Sequence, residues 1–354
     1  MRKSRIVVAA ALACTALVTP AIAGAAQVSA PIADGLAGPL QIAVGATGRV
    51  YVAQDFAGVL SQVGKHGGGV SNLVAAPGTE IAGVAALGNG TVFYTTSIGG
   101  SEVSPPTATL LRRVLPNGHV STLADLLSYE QTVNPDQGTT YGLVGASPAC
   151  AAQWPSEAGP PSYTGIVDSH PYAVALAPGG VYIAEAAGND ILRVTPNGAI
   201  RTVAVLPPQP TVITAAAAAA NGLPECTIGL TYNFEPVPTD VEVGPNGTLY
   251  VSLLPGGPED PSLGARGSVY TVNPRTGATH KIAGGFAGAT NLALGPGGTI
   301  YVSELFADQI AVVRGETTVD TIALSQPAAV EYARGLLYAS TDAFGNGAVV
   351  TISP

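Results

Sequence analysis

A few side chains in this sequence could act on a ligand: three carboxylates, a histidine and a handful of amides. Asp240, Glu185 and Glu304 stand at the ends of apolar runs, in a chain where only 10% of residues are charged. Gathered around one opening with Gln41 and Asn291, they would offer oxygen ligands to a hard cation such as Ca2+. As a pair, Glu185 and Glu304 could serve as acid and base if their surroundings separated their pKa values. His170, two residues before Tyr172, is the one histidine placed beside these groups. His66, His119 and His280 each follow a predicted hairpin turn and read as solvated. A plainer alternative stays open, in which these polar groups satisfy backbone around a water-filled channel. Motifs of other chemistries are absent: no G-x-S-x-G, no H-E-x-x-H, no P-loop and no dinucleotide fingerprint.

The elements that must position these residues form a repeat. Its core is an apolar strand, a turn built on Pro or Gly, and a second strand carrying an aromatic-apolar-small triplet. It reads QIAVGATGRVYVA at 41–53, VAALGNGTVFYTT at 84–96, AVALAPGGVYIAE at 173–185, DVEVGPNGTLYVS at 240–252, NLALGPGGTIYVS at 291–303 and VEYARGLLYAS at 330–340. Hairpins around P-N-G or P-R-T-G turns follow, as in 110–126, 191–206 and 269–284. Alternation in short runs indicates strands. Six four-strand meanders predict an all-β, six-bladed β-propeller of NHL/TolB-like type. The last unit holds only three strands, and Gln27–Ala33 copies the outer-strand pattern, so an N-terminal strand is expected to complete the last blade and hide its edge.

Two stretches break the period, 127–169 and 207–238. The first starts with a predicted helix over 123–131, with Ser121 and Thr122 as candidate caps; the second carries an alanine helix over 215–220 ended by Asn221-Gly222. Both join an outer strand to the next inner strand, so both fall on one face of the propeller. Inner strands start and second strands end on that face. Gln41, Asp240 and Asn291 then ring the channel mouth with Gln54, Glu185 and Glu304, and His170 and Tyr172 stand beside them. Gln41, Gln54, Tyr172, Asp240 and Asn291 are the candidate ligand-binding residues.

Arg2, Lys3 and Arg5 precede an apolar stretch and an A-x-A site at 21–23, which predicts a secretory signal peptide over 1–23, with cleavage as late as 26. A lipid anchor through Cys14 is the disfavoured alternative. The mature chain, 27–354, keeps 11 Lys+Arg against 23 Asp+Glu, a net charge of −12. That acidity excludes polyanions such as nucleic acid as partners, and no later apolar run is long enough to span a membrane. Export into an oxidising compartment makes Cys150 and Cys226 a disulfide by default, which would tie the two insertions into one cover.

The segments LADLLSYEQTVNPDQG (123–138), VDSHPYAVALAPGGVYIAEAAGNDILRVTPNGAIRTVAVLP (167–207) and VPTDVEVGPNGTLYVS (237–252) resemble the ScyD/ScyE family of exported proteins. The resemblance implies the propeller and export but carries no established reaction, and His170 and Ala173 replace the Asn and Gly of the family's D-S-N-P-Y-G segment. Calcium-dependent lactonases of gluconolactonase type are similar in repeat, but their metal-binding Asn position holds Leu40, Tyr172, Thr239 and Thr290 here. Streptogramin-lyase-like propellers use a His and Glu pair near the channel, which His170 with Glu185 or Glu304 imitates loosely. The expected function is recognition of a small molecule, glycan or cell-envelope protein at the insertion-covered face by a secreted monomer. A hydrolase or lyase working through the channel carboxylates is the rival, with Ca2+ as the candidate cofactor.

Overall fold

The structure is a computed structural model that describes residues 26–64, 69–100, 105–258 and 261–354. The predicted signal segment, Cys14 and His66 lie outside the described residues. Among those described, the strands form seven antiparallel sheets. Five consist of four consecutive strands. Their innermost members are Pro39–Val44, Glu80–Ala86, Pro171–Ala177, Pro238–Val243 and Ala289–Leu294, and the outermost are Val70–Ala75, Val120–Asp125, Ile200–Val205, Thr279–Phe286 and Thr317–Ala323. These are the first to fifth sheets in chain order.

The sixth sheet joins the two ends of the chain. Val330–Ala333, Leu336–Thr341 and Gly347–Ser353 supply three strands, and Gln27 and Val28 pair with Ser353 and Ile352 as the outer one. The expected N-terminal strand is thus present, but in two pieces, since Ala33 and Leu36 pair again with Val349 and Gly347. Pro31 between them has no N–H to give the ladder, so the strand breaks there.

Each innermost strand packs against the innermost strand of the next sheet, and that of the sixth against Pro39–Val44. Apolar residues fill every seam. Leu249 and Val251 meet Ala184 and Ile191 between the third and fourth sheets, while Ile42 and Val52 meet Tyr338 and Val349 where the ring closes. Most of these side chains lose all contact with water, and each Leu, Ile or Val among them contributes about 1.5–3 kcal/mol on burial. This radial arrangement is of β-propeller type.

The two insertions build more than a covering loop. Ser162–Thr164, Thr140–Val144, Thr231–Phe234 and Gln209–Val212 hydrogen-bond in that order as a separate sheet. Cys150 and Cys226 are bonded across it, with Cα atoms 5.8 Å apart, and Trp154 stacks on Tyr232 at 5.7 Å. The first insertion helix runs Leu126–Val133, later than its predicted start, because the outer strand continues through Asp125. Asp125, not Ser121 or Thr122, caps it by accepting from the Ser128 N–H. The alanine helix spans Ala215–Ala220, capped by Thr214 and ended at Asn221.

Candidate functional site

Residues of the innermost strands line a channel cavity of about 180 Å³. Gln41, Asp240 and Asn291 occupy one level of its wall, and Ala43, Ala85, Ala175, Glu242 and Glu331 the next, two residues further along the strands. The period of two that puts Asp240 into the channel therefore also puts Glu242 there. The upper level is committed to the wall itself. Asn291 Nδ2 donates to Gln41 Oε1 at 2.9 Å, and its Oδ1 accepts from the Val330 N–H at 2.8 Å. Gln41 Nε2 reaches the Thr239 carbonyl at 3.2 Å, and Asp240 Oδ2 accepts from the Leu292 N–H at 2.9 Å. Each bond crosses from one sheet to another.

Three carboxylates share this small space without a cationic side chain among its lining residues. Burial pushes Asp240 up to about 7, against the opposing pull of the Leu292 and Val241 N–H groups. Burial, then the Asp240 charge, raises Glu331 to about 8. Glu242 is raised well above the carboxylate range by burial and by its proximity to Glu331 and Asp240. Ligand pockets usually measure about 300–1,000 Å³, so this cavity suits waters or an ion better than an organic molecule.

The mouth on the insertion side has a different character. Leu40, Leu305, Ala328 and Ala343 form a buried apolar floor with Tyr172 packed on it. His170 stands beside Tyr172, ring edge to face at 5.9 Å. Its Nε2 contacts Glu80 Oε1, and the two side chains keep 38% and 28% of their accessible surface. Burial lowers the His170 pKa, but the Glu80 hydrogen bond and charge, helped by Glu185 and Asp55, outweigh it and bring the ring to about 9. Asp55 is raised to about 8 by burial and the Glu80 charge, with His170 pulling it down. His170 is thus a cation at neutral pH, in wet contact with one carboxylate and close to another. Beside Asp55, the rings of Phe56 and Phe344 stack at 6.1 Å and are 60% and 58% exposed.

Glu80 and Asp55 escape the sequence reading. Glu80 opens an inner strand four residues before that strand's repeat copy at 84–96, and Asp55 follows the second-strand end by one residue.

The other three predicted mouth residues share one duty. Gln54 Oε1 accepts from the Ala37 N–H at 2.9 Å, and Glu304 Oε2 from the Ala287 N–H at 2.8 Å. Glu185 Oε1 likewise accepts from the His170 N–H, and from Ser169 Oγ at 3.1 Å. Each second-strand end holds the loop that enters its own sheet. No hydrogen bond among the described residues links Asp240, Glu185 and Glu304, and no three His, Cys, Asp or Glu side chains there stand as ready ligands of one ion. Burial raises Glu185 to about 7 against the pull of the Gly188 N–H, His170 and Ser169.

No family model matches the chain, and no curated protein matches it. Solved structures do. Virginiamycin B lyase from Staphylococcus aureus is 12% identical with a TM-score of 0.52, covering 93% of this chain and 99% of its own. The PQQ-bound aldose sugar dehydrogenase from Streptomyces coelicolor is 13% identical with a TM-score of 0.55, over 93% and 97%. A glucose dehydrogenase matches at 12% identity and a TM-score of 0.53, over 92% and 99%. At such identities the likeness shows the fold alone: this chain is an all-β protein of β-propeller type.

Proposed function

We propose that this chain is an exported, six-bladed, ScyD/ScyE-like propeller that binds a glycan or a similar small ring-bearing ligand at its insertion-side mouth. The observation that carries the reading is the His170–Glu80 contact, solvent-accessible and set beside Tyr172, with Asp55, the sequence neighbour of Phe56 in the exposed Phe56–Phe344 stack, close enough to feel both charges. Flat apolar faces with a few convergent polar groups are what a sugar needs, since its C–H face lies on aromatic rings and its hydroxyls hydrogen-bond to carboxylates and imidazole. Six sheets in cyclic contact support the blade number. The Cys150–Cys226 bond supports an oxidising compartment, and no helix among the described residues is long and apolar enough to cross a membrane. Nothing in this reading requires a partner chain, and a monomer is the simplest form. Propellers of the same fold include enzymes that act on or bind small molecules.

A second reading rests on the same contact. A protonated His170 held by Glu80 could give its proton to a leaving group, making the mouth that of a hydrolase or lyase. Binding without turnover separates the two. Screening wild type on a glycan array, then testing captured glycans for breakdown products, assigns recognition if binding is seen and the glycans stay intact.

A further inference from the structure

Building on the glycan reading of the mouth, we infer that the bound glycan is an uncharged linear polysaccharide, laid across the fifth, sixth and first sheets along Phe306, Phe344 and Phe56. These three rings are 44%, 58% and 60% exposed, and every other Phe, Tyr or Trp ring among the described residues is more buried. All three stand in the loop after a sheet's second strand. Phe56 lies two residues past Gln54, Phe306 two past Glu304 and Phe344 three past Thr341. The matching place holds Ala187 after Glu185 and Pro255 after Leu253, in the third and fourth sheets that the insertions lead into. The aromatic rings thus fall on consecutive sheets that no insertion enters.

The loops share a floor and are held down on it. Leu305 and Ala343, each the residue before one of these rings, pack with Leu40 and Tyr172, and Phe56 joins them through its stack on Phe344. The Asp55 N–H donates to the Gly38 carbonyl at 2.9 Å, the Phe306 N–H to the Ala287 carbonyl at 3.2 Å, and the Phe344 N–H to Gln326 Oε1 at 3.3 Å. Each loop is tied in this way to the start of its own sheet. A Cβ on Gly38 would fall within 2.9 Å of Phe56 Cγ, Cδ2 and Cε2, and one on Gly288 within 3.0 Å of the same atoms of Phe306. Each of these two rings therefore lies with one face on glycine backbone, at φ of +63° and +75°, and turns the other to water. Rings fixed before binding lose little freedom when a ligand arrives. Phe306 also borders a cavity of about 380 Å³ with Arg266, Phe286 and Gly288, large enough to seat a small ring.

Shape and charge select the occupant. Flat ring faces suit the C–H faces of sugars, and faces on three consecutive sheets suit a chain of sugars rather than a single ring. Protein hot spots are enriched in Trp, Tyr and Arg, and none of these stands in the three loops. The charges beside the rings are negative. Asp308, two residues past Phe306, and Asp342, two before Phe344, are both exposed. Their carboxylates accept from sugar hydroxyls and repel an anionic lipid surface or a polyuronate, as does the net charge of −9.

The test is chain-length dependence. Mature protein is sedimented with insoluble cellulose, chitin, mannan and curdlan, with alginate beads and with phosphatidylcholine vesicles. Two-unit and six-unit oligosaccharides of each polymer that retains it are then titrated by calorimetry. Wild type is expected to be retained by at least one uncharged polymer and by neither alginate nor vesicles. It should bind the six-unit chain about tenfold or more tighter than the two-unit one, because linked contacts add. Phe306→Ala should shrink that ratio to about twofold or less, with its fold checked by circular dichroism. Val319→Ala, exposed on the outer strand of the fifth sheet, should keep the full ratio. Equal affinity of wild type for both lengths, or an undiminished ratio in Phe306→Ala, overturns the polymer and leaves the mouth reading standing. Retention by alginate or vesicles overturns the uncharged chain as the occupant. Retention by none of the probes overturns the polysaccharide and the glycan reading together.

Discussion

Asn291 and Gln41, 250 residues apart in sequence, are joined by a 2.9 Å hydrogen bond across the channel. Asn291 also accepts the Val330 N–H, so one buried amide connects the fifth sheet with the sixth and with the first. Asn291→Ala leaves Val330 N–H and Gln41 Oε1 without these partners. An unpaired buried polar group costs about 1–3 kcal/mol, and the variant should lose about 2 kcal/mol or more in a denaturant titration. A loss within a few tenths of a kcal/mol would show that water replaces the amide at no cost.

The cap is a separate sheet, held by the disulfide and by Trp154 on Tyr232. Its bond closes a separation of 76 residues, which in the chain-entropy account stabilises by up to about 4 kcal/mol. Cys150→Ser/Cys226→Ser should open the cap before the ring. Fluorescence of Trp154, the single tryptophan, is expected to change at lower denaturant than the far-ultraviolet dichroism of the sheets. Coincident transitions would mean that cap and ring unfold as one unit.

Stability should fall as pH rises. Asp240 and Glu331 bind their protons more tightly in the folded chain, near 7 and 8 against ordinary values of 3.8 and 4.5. Raised acids favour the folded state at low pH, and that advantage is lost progressively up to the folded values. His170, raised from 6.5 to about 9, adds stability that is full below 6.5 and gone above 9, so all three slopes have the same sign. In metal-free buffer Tm should be lower at about pH 8.5 than at about pH 6, and Glu331→Gln should remove part of the difference. A Tm that rises over this interval contradicts the assignment.

How much of this was legible beforehand follows from what repeats. Alternation places strands wherever a blade recurs, so the second-strand ends at Gln54, Glu185 and Glu304 could be located from sequence, whereas Gln41, Asp240 and Asn291, expected as inner-strand starts, lie two residues inside strands that begin at Pro39, Pro238 and Ala289. The pairing of Cys150 with Cys226 followed from there being two cysteines in the expected mature chain. What the repeat does not encode was missed. Glu242 and Glu331 lay one period further along strands already identified, and continuing the alternation would have found them. Glu80 and Asp55 stand at a strand's start and just past a strand's end, where partners come from distant parts of the chain and no local spacing reveals them. The cap sheet was hidden for the same reason, because Thr140–Val144 pairs with Thr231–Phe234 across the whole of the third sheet's sequence.

The mouth around His170 and Tyr172 is the proposed binding surface. Glycan-array binding should be measured for wild type, His170→Ala, Tyr172→Ala and the channel variant Glu331→Gln, with folding of each checked by circular dichroism. Wild type and Glu331→Gln are expected to share a restricted set of bound glycans, and the two mouth variants to lose tenfold or more in affinity, about 1.4 kcal/mol. Undiminished binding by His170→Ala and Tyr172→Ala, or an array on which wild type binds nothing, would contradict it.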